Sequence, residues 1–240
     1  MRTLPLLALV ALLTGCSERS GQAAVDPRVA DTTRPLLLIT HPTDPPCSYT
    51  NAQGECQGTD IDLARKIAAK MGRGLVCEAV EFEDLIPRLK AGTADFAIAT
   101  ITITPARQKD VDFSEPYETS GSCFLYRADA PKPRMSQLAT QRIGAEAGTT
   151  GDLYLSRHGG DPVRYVNMNE AIDALKTRKV DAIFFDAIPL RAWAERSGGE
   201  FVAAPLETRE GYGVAVDKRR PDILAAANAV IAEEREGRTK

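Results

Sequence analysis

The 240-residue chain is 43% hydrophobic and 26% charged, the balance of a globular protein and not of a disordered one, and it is long enough for one large domain or two small ones. Thirty Lys and Arg against 33 Asp and Glu leave a net charge of −3 without any basic block, which argues against nucleic acid as a partner. The only long apolar run lies at the extreme N-terminus, which excludes a multispan membrane architecture.

In chain order, Arg2 and the apolar stretch Leu4 to Leu13 come first. That stretch is too short for roughly 30 Å of hydrocarbon, which takes about 20 helical residues, so it reads as an export signal. It ends in Leu13-Thr14-Gly15-Cys16, which resembles a bacterial lipobox. The resemblance implies a signal peptide over residues 1–15 and acylation of the Cys16 thiol. Residues 16–34 are then a polar, lipid-attached tether on an exported chain, at the periplasm or the outer face of the cell membrane.

Leu36 to Thr40 reads as a buried strand. Asp60 to Met71 carries apolar residues at Ile61, Ala64, Ile67, Ala68 and Met71, the period of an amphipathic helix, and Gly72 stops it. A strand over Leu75 to Val80, a helix over Glu83 to Ala91 and a strand over Asp95 to Ile103 follow. Thr104-Pro105 has the pattern of an N-cap and a first-turn proline, which predicts a helix containing Arg107. A second series has strands at Cys123 to Tyr126, Arg142 to Ala145, Val163 to Val166 and Val180 to Phe185, with helices starting near Thr150, Asn169 and Ala187. A strand over Gly213 to Asp217 and a helix over Asp222 to Glu236 close the chain. Alternating strands and helices predict an α/β protein with largely parallel sheets, and two series predict two lobes.

In an oxidising compartment the four cysteines beyond Cys16 form an even set open to three pairings. Cys47 and Cys56 bracket a segment whose Asn51 and Gly54 suit a hairpin turn, so Cys47–Cys56 is the first expectation, leaving Cys77 with Cys123. Zinc is disfavoured. There is no Cys-x-x-Cys, and His41 and His158 are far apart.

Three stretches together resemble bacterial extracytoplasmic solute-binding proteins of the polar amino-acid family, with the type II periplasmic-binding-protein fold. The first is Gly58-Thr59-Asp60-Ile61-Asp62-Leu63-Ala64. The second runs from Leu85-Ile86-Pro87 through Thr102-Ile103-Thr104-Pro105-Ala106-Arg107 to Val111-Asp112-Phe113-Ser114-Glu115-Pro116-Tyr117. The third is Gly148-Thr149-Thr150 with Val180-Asp181-Ala182-Ile183-Phe184-Phe185-Asp186. The resemblance covers Leu36 to Glu236. It implies a two-lobed α/β fold, residues 35–118 with 207–240 in lobe 1 and 122–204 in lobe 2, with hinge crossings near Tyr117 to Ser122 and Pro205 to Thr208.

It also implies a ligand set. An amino acid presents a carboxylate and an ammonium on one carbon. Arg107 can grip the carboxylate through two parallel hydrogen bonds, which lysine cannot reproduce. The family pattern adds the Thr102 hydroxyl and the main chain near Thr100, two positions that share a face if the strand continues. Thr149 and Thr150 approach the same carboxylate from the N-terminus of a lobe 2 helix. Asp186 accepts from the ammonium, against the plainer reading that it is a helix N-cap. Asp44 stands where relatives place a stacking aromatic, Thr59 replaces the phenylalanine of Gly-Phe-Asp, and His41 stands where some relatives carry an acid. A polar pocket follows, suited to a cationic ligand through Asp44, with Phe82 as an apolar wall. The last departure is at Lys240, where relatives continue into a further helix, which predicts a lobe 1 lacking its closing element.

The implied action is hinge closure by a monomer on an amino acid, without a cofactor, followed by delivery to an ABC permease. No Gly-x-x-x-x-Gly-Lys-Ser/Thr loop is present, so the ATPase is a separate chain. The rival readings are a cleft enzyme of the same fold, of the cyclohexadienyl or arogenate dehydratase kind with Asp44 or Glu146 as proton donor, and a ligand-presenting partner of a membrane sensor.

Overall fold

The structure, a computed structural model, describes residues 31–238, so the signal peptide, Cys16 and most of the tether lie outside the described residues. Lobe 1 begins with β1 (Leu36–Thr40) and a short meander of β2 (Thr43–Asp44), β3 (Ser48–Thr50) and β4 (Cys56–Gln57). Helix α1 (Thr59–Lys70), β5 (Leu75–Ala79), α2 (Leu85–Ala91), β6 (Phe96–Ala97), β7 (Asp112–Phe113) and β8 (Glu118–Ser120) follow. Lobe 2 holds β9 (Ser122–Arg127), β10 (Ile143–Glu146), α3 (Thr150–Arg157), β11 (Val163–Tyr165), α4 (Met168–Lys176), β12 (Ala182–Asp186), α5 (Ala187–Arg196) and β13 (Phe201–Ala203). The chain then returns through β14 (Glu210–Tyr212) to β15 (Ala215–Val216) and α6 (Pro221–Arg238).

Each lobe is built on one five-stranded sheet, of order β5-β1-β6-β15-β7 in lobe 1 and β11-β10-β12-β9-β13 in lobe 2. The sheets are mixed, a correction to the parallel expectation. In lobe 1, β15 runs antiparallel to β6 and β7, and in lobe 2, β9 runs antiparallel to β12 and β13. The cause is connectivity, since the chain leaves and re-enters each sheet through the crossings and not only through βα units.

Alternation along β1 divides the lobe 1 core. Leu36 and Leu38 pack with Ile61 and Ile67 of α1 and Ile223 and Val230 of α6, while Ile39 packs with Leu85 and Leu89 around α2. Helix α6 thus covers the lobe 1 sheet together with α1. In lobe 2, Ile183 and Phe185 face α4 and α5, and Phe184 faces Leu155 of α3. Each such side chain stabilises the fold by about 1.5–3 kcal/mol. At the start of β6, in the middle of the lobe 1 sheet, the fully buried Arg220 pairs with buried Asp95 and with Asp222, and Asp95 also takes two hydrogen bonds from Arg34 and one from the Leu37 N–H. Arg34, placed by sequence at the end of the tether, is therefore docked on lobe 1.

The expected strand over Asp95 to Ile103 is cut to Phe96–Ala97. Thr100 adopts φ 45°, a left-handed conformation costly for a β-branched residue, and its N–H is given to Asp60 Oδ2 at 3.0 Å. Thr100 and Thr102 therefore do not share a strand face. The expected helix after Thr104 is a single 3-10 turn, Arg107–Lys109, although Thr104 Oγ1 does accept the Arg107 N–H at 3.2 Å.

The disulfide is Cys56–Cys77, and Cys47 and Cys123 are free and buried. The expected Cys47–Cys56 bridge fails on register. In the β3–β4 hairpin Cys56 faces Thr50, at the opposite end of β3 from Cys47, whereas β4 lies beside β5 and so beside Cys77.

Two crossings join the lobes, and β8 and β14 pair along them in an antiparallel ribbon that sets Ser120 opposite Glu210. Gly121 is required there. A Cβ at that position would meet the Thr208 carbonyl oxygen at 2.0 Å.

Candidate functional site

The site lies where the two lobes meet. Arg107 anchors it, its Nη1 donating to the Thr102 carbonyl at 3.0 Å and its Nη2 across the lobes to the Gly148 carbonyl at 3.4 Å. The guanidinium stands over the Phe82 ring, 5.2 Å from its centroid, so Phe82 serves both as a wall of the site and as a flank of the α2 core. Burial lowers the Arg107 pKa, while Asp186 and Glu210 act to raise it.

Thr102 and Thr150 come together from opposite lobes, their hydroxyls 3.3 Å apart. Each donates to Glu210 Oε2 at 2.7 Å, and Glu210 Oε1 receives Ser122 Oγ at 3.0 Å and Thr208 Oγ1 at 2.6 Å. Burial opposes ionisation of Glu210, but the four hydroxyls together hold its carboxyl below the ordinary glutamate range. Thr149 is spent elsewhere. Its hydroxyl caps α3, accepting the Asp152 N–H at 3.3 Å and donating to the Glu146 carbonyl at 2.8 Å, which leaves it no hydrogen for a ligand.

Asp186 ends β12 in the N-cap position of α5 but makes no side-chain cap, which leaves its carboxyl out of helix capping. Its carboxyl is buried and pushed up to about 7 by that burial and by Glu210, against the hydroxyls of Tyr212 and Thr100 and the charge of Arg107, which act the other way. Asp186 and Arg107 lie near enough for each to act on the other, and no ion pair joins them. Asp60 lies behind Thr100 and is raised to about 6, chiefly by burial.

The third group is acidic. Asp44 is 4% exposed and Glu146 fully buried, one from each lobe; burial and then Asp44 raise Glu146, while burial and then Asp186 raise Asp44. Glu146 Oε1 stands 3.5 Å from His41 Nε2. His41 is held by its other ring nitrogen, 2.9 Å from the Val80 carbonyl, and burial keeps the imidazole neutral by lowering its pKa. Among the described residues no group of three or more His, Cys, Asp or Glu is arranged to hold a metal ion.

The fold thus gathers Asp44, Phe82, Thr100, Thr102, Arg107, Thr150 and Asp186 from positions far apart in sequence, and turns Thr149 to capping. Two clefts flank them, one of about 320 Å³ reaching Thr100, Asp60 and Tyr212, the other of about 750 Å³ reaching Thr102, Thr150 and Glu210. Sequence reasoning missed Glu210 and did not place Glu146 among the binding residues. The signal for Glu146 was the one that singled out Asp186, an acid closing an apolar strand. Glu210 carried only its place before Gly211-Tyr212-Gly213.

Residues 36–239 match the family model of bacterial extracellular solute-binding proteins, family 3. The chain is 29% identical over 202 residues to an arginine-binding periplasmic protein of Mannheimia haemolytica, covering 81% of this chain and 83% of that protein. It is 30% identical over 197 residues to the ABC transporter arginine-binding protein 1 of Escherichia coli, covering 79% and 81%. Among solved structures, holo ArgBP from T. maritima superposes with a TM-score of 0.79 at 32% identity, over 83% of this chain and 90% of that one.

Proposed function

The chain belongs to the bacterial extracellular solute-binding proteins, family 3, and from that premise we propose that it captures a polar α-amino acid with a cationic side chain between its lobes and passes it to an ABC permease. One observation carries this reading. The Arg107 guanidinium and the Asp186 carboxyl stand near enough in one buried site for each to act on the other, and no ion pair joins them. The ligand carboxylate takes the Arg107 fork and its ammonium takes Asp186, so the zwitterion ties lobe 1 to lobe 2 and favours the closed state. The side chain is directed toward Asp44. That two of the relatives are named for arginine supports the choice of a basic ligand.

In the same reading Cys16 carries the lipid anchor in the periplasm or on the outer face of the cell membrane, the protein acts as a monomer, and a separate ATPase drives the permease. Calorimetry of the purified protein against arginine, lysine, histidine, glutamine and leucine tests the ligand class. Basic amino acids are expected to bind and to be recovered chemically unchanged. Preference for leucine rejects the reading, and turnover of a dehydratase substrate such as prephenate or arogenate replaces it with the enzyme.

A further inference from the structure

Glu146 is fully buried at the end of β10, and neither of its carboxyl oxygens accepts a hydrogen bond from the protein. The Met168 N–H at the start of α4 approaches it without completing one. A carboxyl left in this condition is costly unless it is protonated or meets a cation. An independent observation points to the same place. His41, 3% exposed, aims Nε2 at Glu146 Oε1 and that nitrogen is also unpartnered. The other nitrogen faces a carbonyl, which only accepts, so Nδ1 carries the hydrogen and Nε2 of the neutral ring presents a lone pair. Asp44 lies near enough for its charge to act on Glu146, and the one protein donor to its Oδ1 is the Thr43 hydroxyl at 3.4 Å. Three acceptors from two lobes therefore converge where the protein offers them no strong donor.

We propose that Glu146 and Asp44, with His41, form the subsite for the cationic side chain of the ligand, a guanidinium or ammonium, and that its entry displaces one proton that the two carboxyls otherwise hold. The reaction balances simply. A carboxylic acid and a cation become a carboxylate–cation pair, and the proton leaves to solvent. The groups facing Glu146 are Asp44 on β2, Asp186 at the end of β12, Glu81 before the 3-10 turn that leads into α2, and His41 after β1. Burial, then Asp44, Asp186 and Glu81, raise Glu146. Burial, then Asp186 and Asp60, raise Asp44. Two buried carboxyls so placed do not both ionise near neutral pH unless a cation stands between them.

This inference rests on the proposed amino-acid site and is separable from it. The test is calorimetry of the full chain with L-arginine and with L-citrulline, its uncharged isostere, at pH 7 in phosphate and in Tris, whose ionisation enthalpies differ. The expected result is about one more proton released per arginine than per citrulline, with arginine affinity rising by up to about tenfold per pH unit while the pair is still protonated. Glu146→Gln is expected to abolish that difference in proton release. Arginine binding with the same proton count as citrulline overturns the proton displacement and leaves the amino-acid site standing. Citrulline or glutamine binding more tightly than arginine and lysine overturns the cationic subsite itself. Failure of every amino acid to bind overturns the parent reading and this one together. The wild-type comparison decides the matter even if the variant does not fold.

Discussion

Thr102 and Thr150, from different lobes, donate to the same oxygen of Glu210 at 2.7 Å each. A threonine hydroxyl has one hydrogen to give, so while Glu210 holds both, a ligand carboxylate must rely on Arg107 and main-chain N–H groups or compete for the hydroxyls. Glu210 sits on the return crossing, and its other oxygen is tied to Ser122 and Thr208 beside the hinge. It therefore acts as an internal carboxylate clamp between the lobes.

Removing the charge should cost stability in a pH-dependent way. Glu210→Gln is expected to lose about 1.5–3 kcal/mol at pH 7, the range for hydrogen bonds to a charged group. Because the folded carboxyl is held below its ordinary range, the contribution is present above the unfolded value of about 4.3 and is lost as pH falls through the folded one. Urea unfolding of wild type and variant should show a gap at pH 7 that closes in acid. A gap that widens in acid contradicts the clamp.

The local signals and the long-range ones were legible to different degrees. Leu36 to Thr40 and the helix after Gly58 were plain because alternation and the 3.6-residue period are written into consecutive residues. Arg107 and Asp186 were found through a family pattern, and nothing local says that they meet. Glu210 was invisible because three of its four partners, Thr102, Ser122 and Thr150, come from distant segments and only Thr208 is local. The disulfide was misjudged because hairpin symmetry suggested Cys47, while the partner of Cys56 depends on β4 lying beside β5. The left-handed turn at Thr100 ran against its β-propensity, since the Asp60 contact that supports it lies forty residues away.

The disulfide carries its own prediction. Cys56 and Cys77 close a loop with a sequence separation of 21, and a loop of that order is worth about 3 kcal/mol through the restricted unfolded chain. Cys56→Ser with Cys77→Ser should lower the unfolding free energy by about 2–4 kcal/mol. Peptide mapping without reductant should recover residues 56 and 77 linked, with Cys47 and Cys123 as thiols. Burial and the nearby carboxylates raise the Cys47 thiol, so it should resist alkylation until the protein unfolds.

At the start of β6, Asp95 shares with Asp222 the charge of Arg220, a guanidinium with no exposed surface. Asp95→Ala leaves that charge to Asp222 alone and should cost about 1–3 kcal/mol, less than the roughly 3–5 kcal/mol of a buried charge left wholly unpaired. The double variant Asp95→Leu with Arg220→Met should recover much of the loss, because the pair itself adds little over apolar packing. Chemical denaturation of wild type, Asp95→Leu, Arg220→Met and the double variant measures the coupling. Additive losses would mean that the two groups do not act as a pair.

Arg107 offers the sharpest separation of binding from architecture. Its guanidinium bonds the Thr102 and Gly148 carbonyls and lies over Phe82, so a loss of affinity on substitution alone does not assign a role. Arg107→Ala should weaken L-arginine by at least about thirtyfold, the low end of the 2–5 kcal/mol lost when one partner of a buried charge pair is removed. The informative comparison is with L-arginine methyl ester, which keeps the ammonium and guanidinium but has no carboxylate charge. Wild type should prefer the free acid strongly, because only a carboxylate matches the Arg107 fork. Arg107→Ala should lose most of that preference, and Arg107→Lys should keep part of it, since a point charge still attracts the anion without gripping both oxygens. If Arg107→Ala instead weakens acid and ester by the same factor, the arginine only braces the lobes, and the ligand carboxylate is held by other groups.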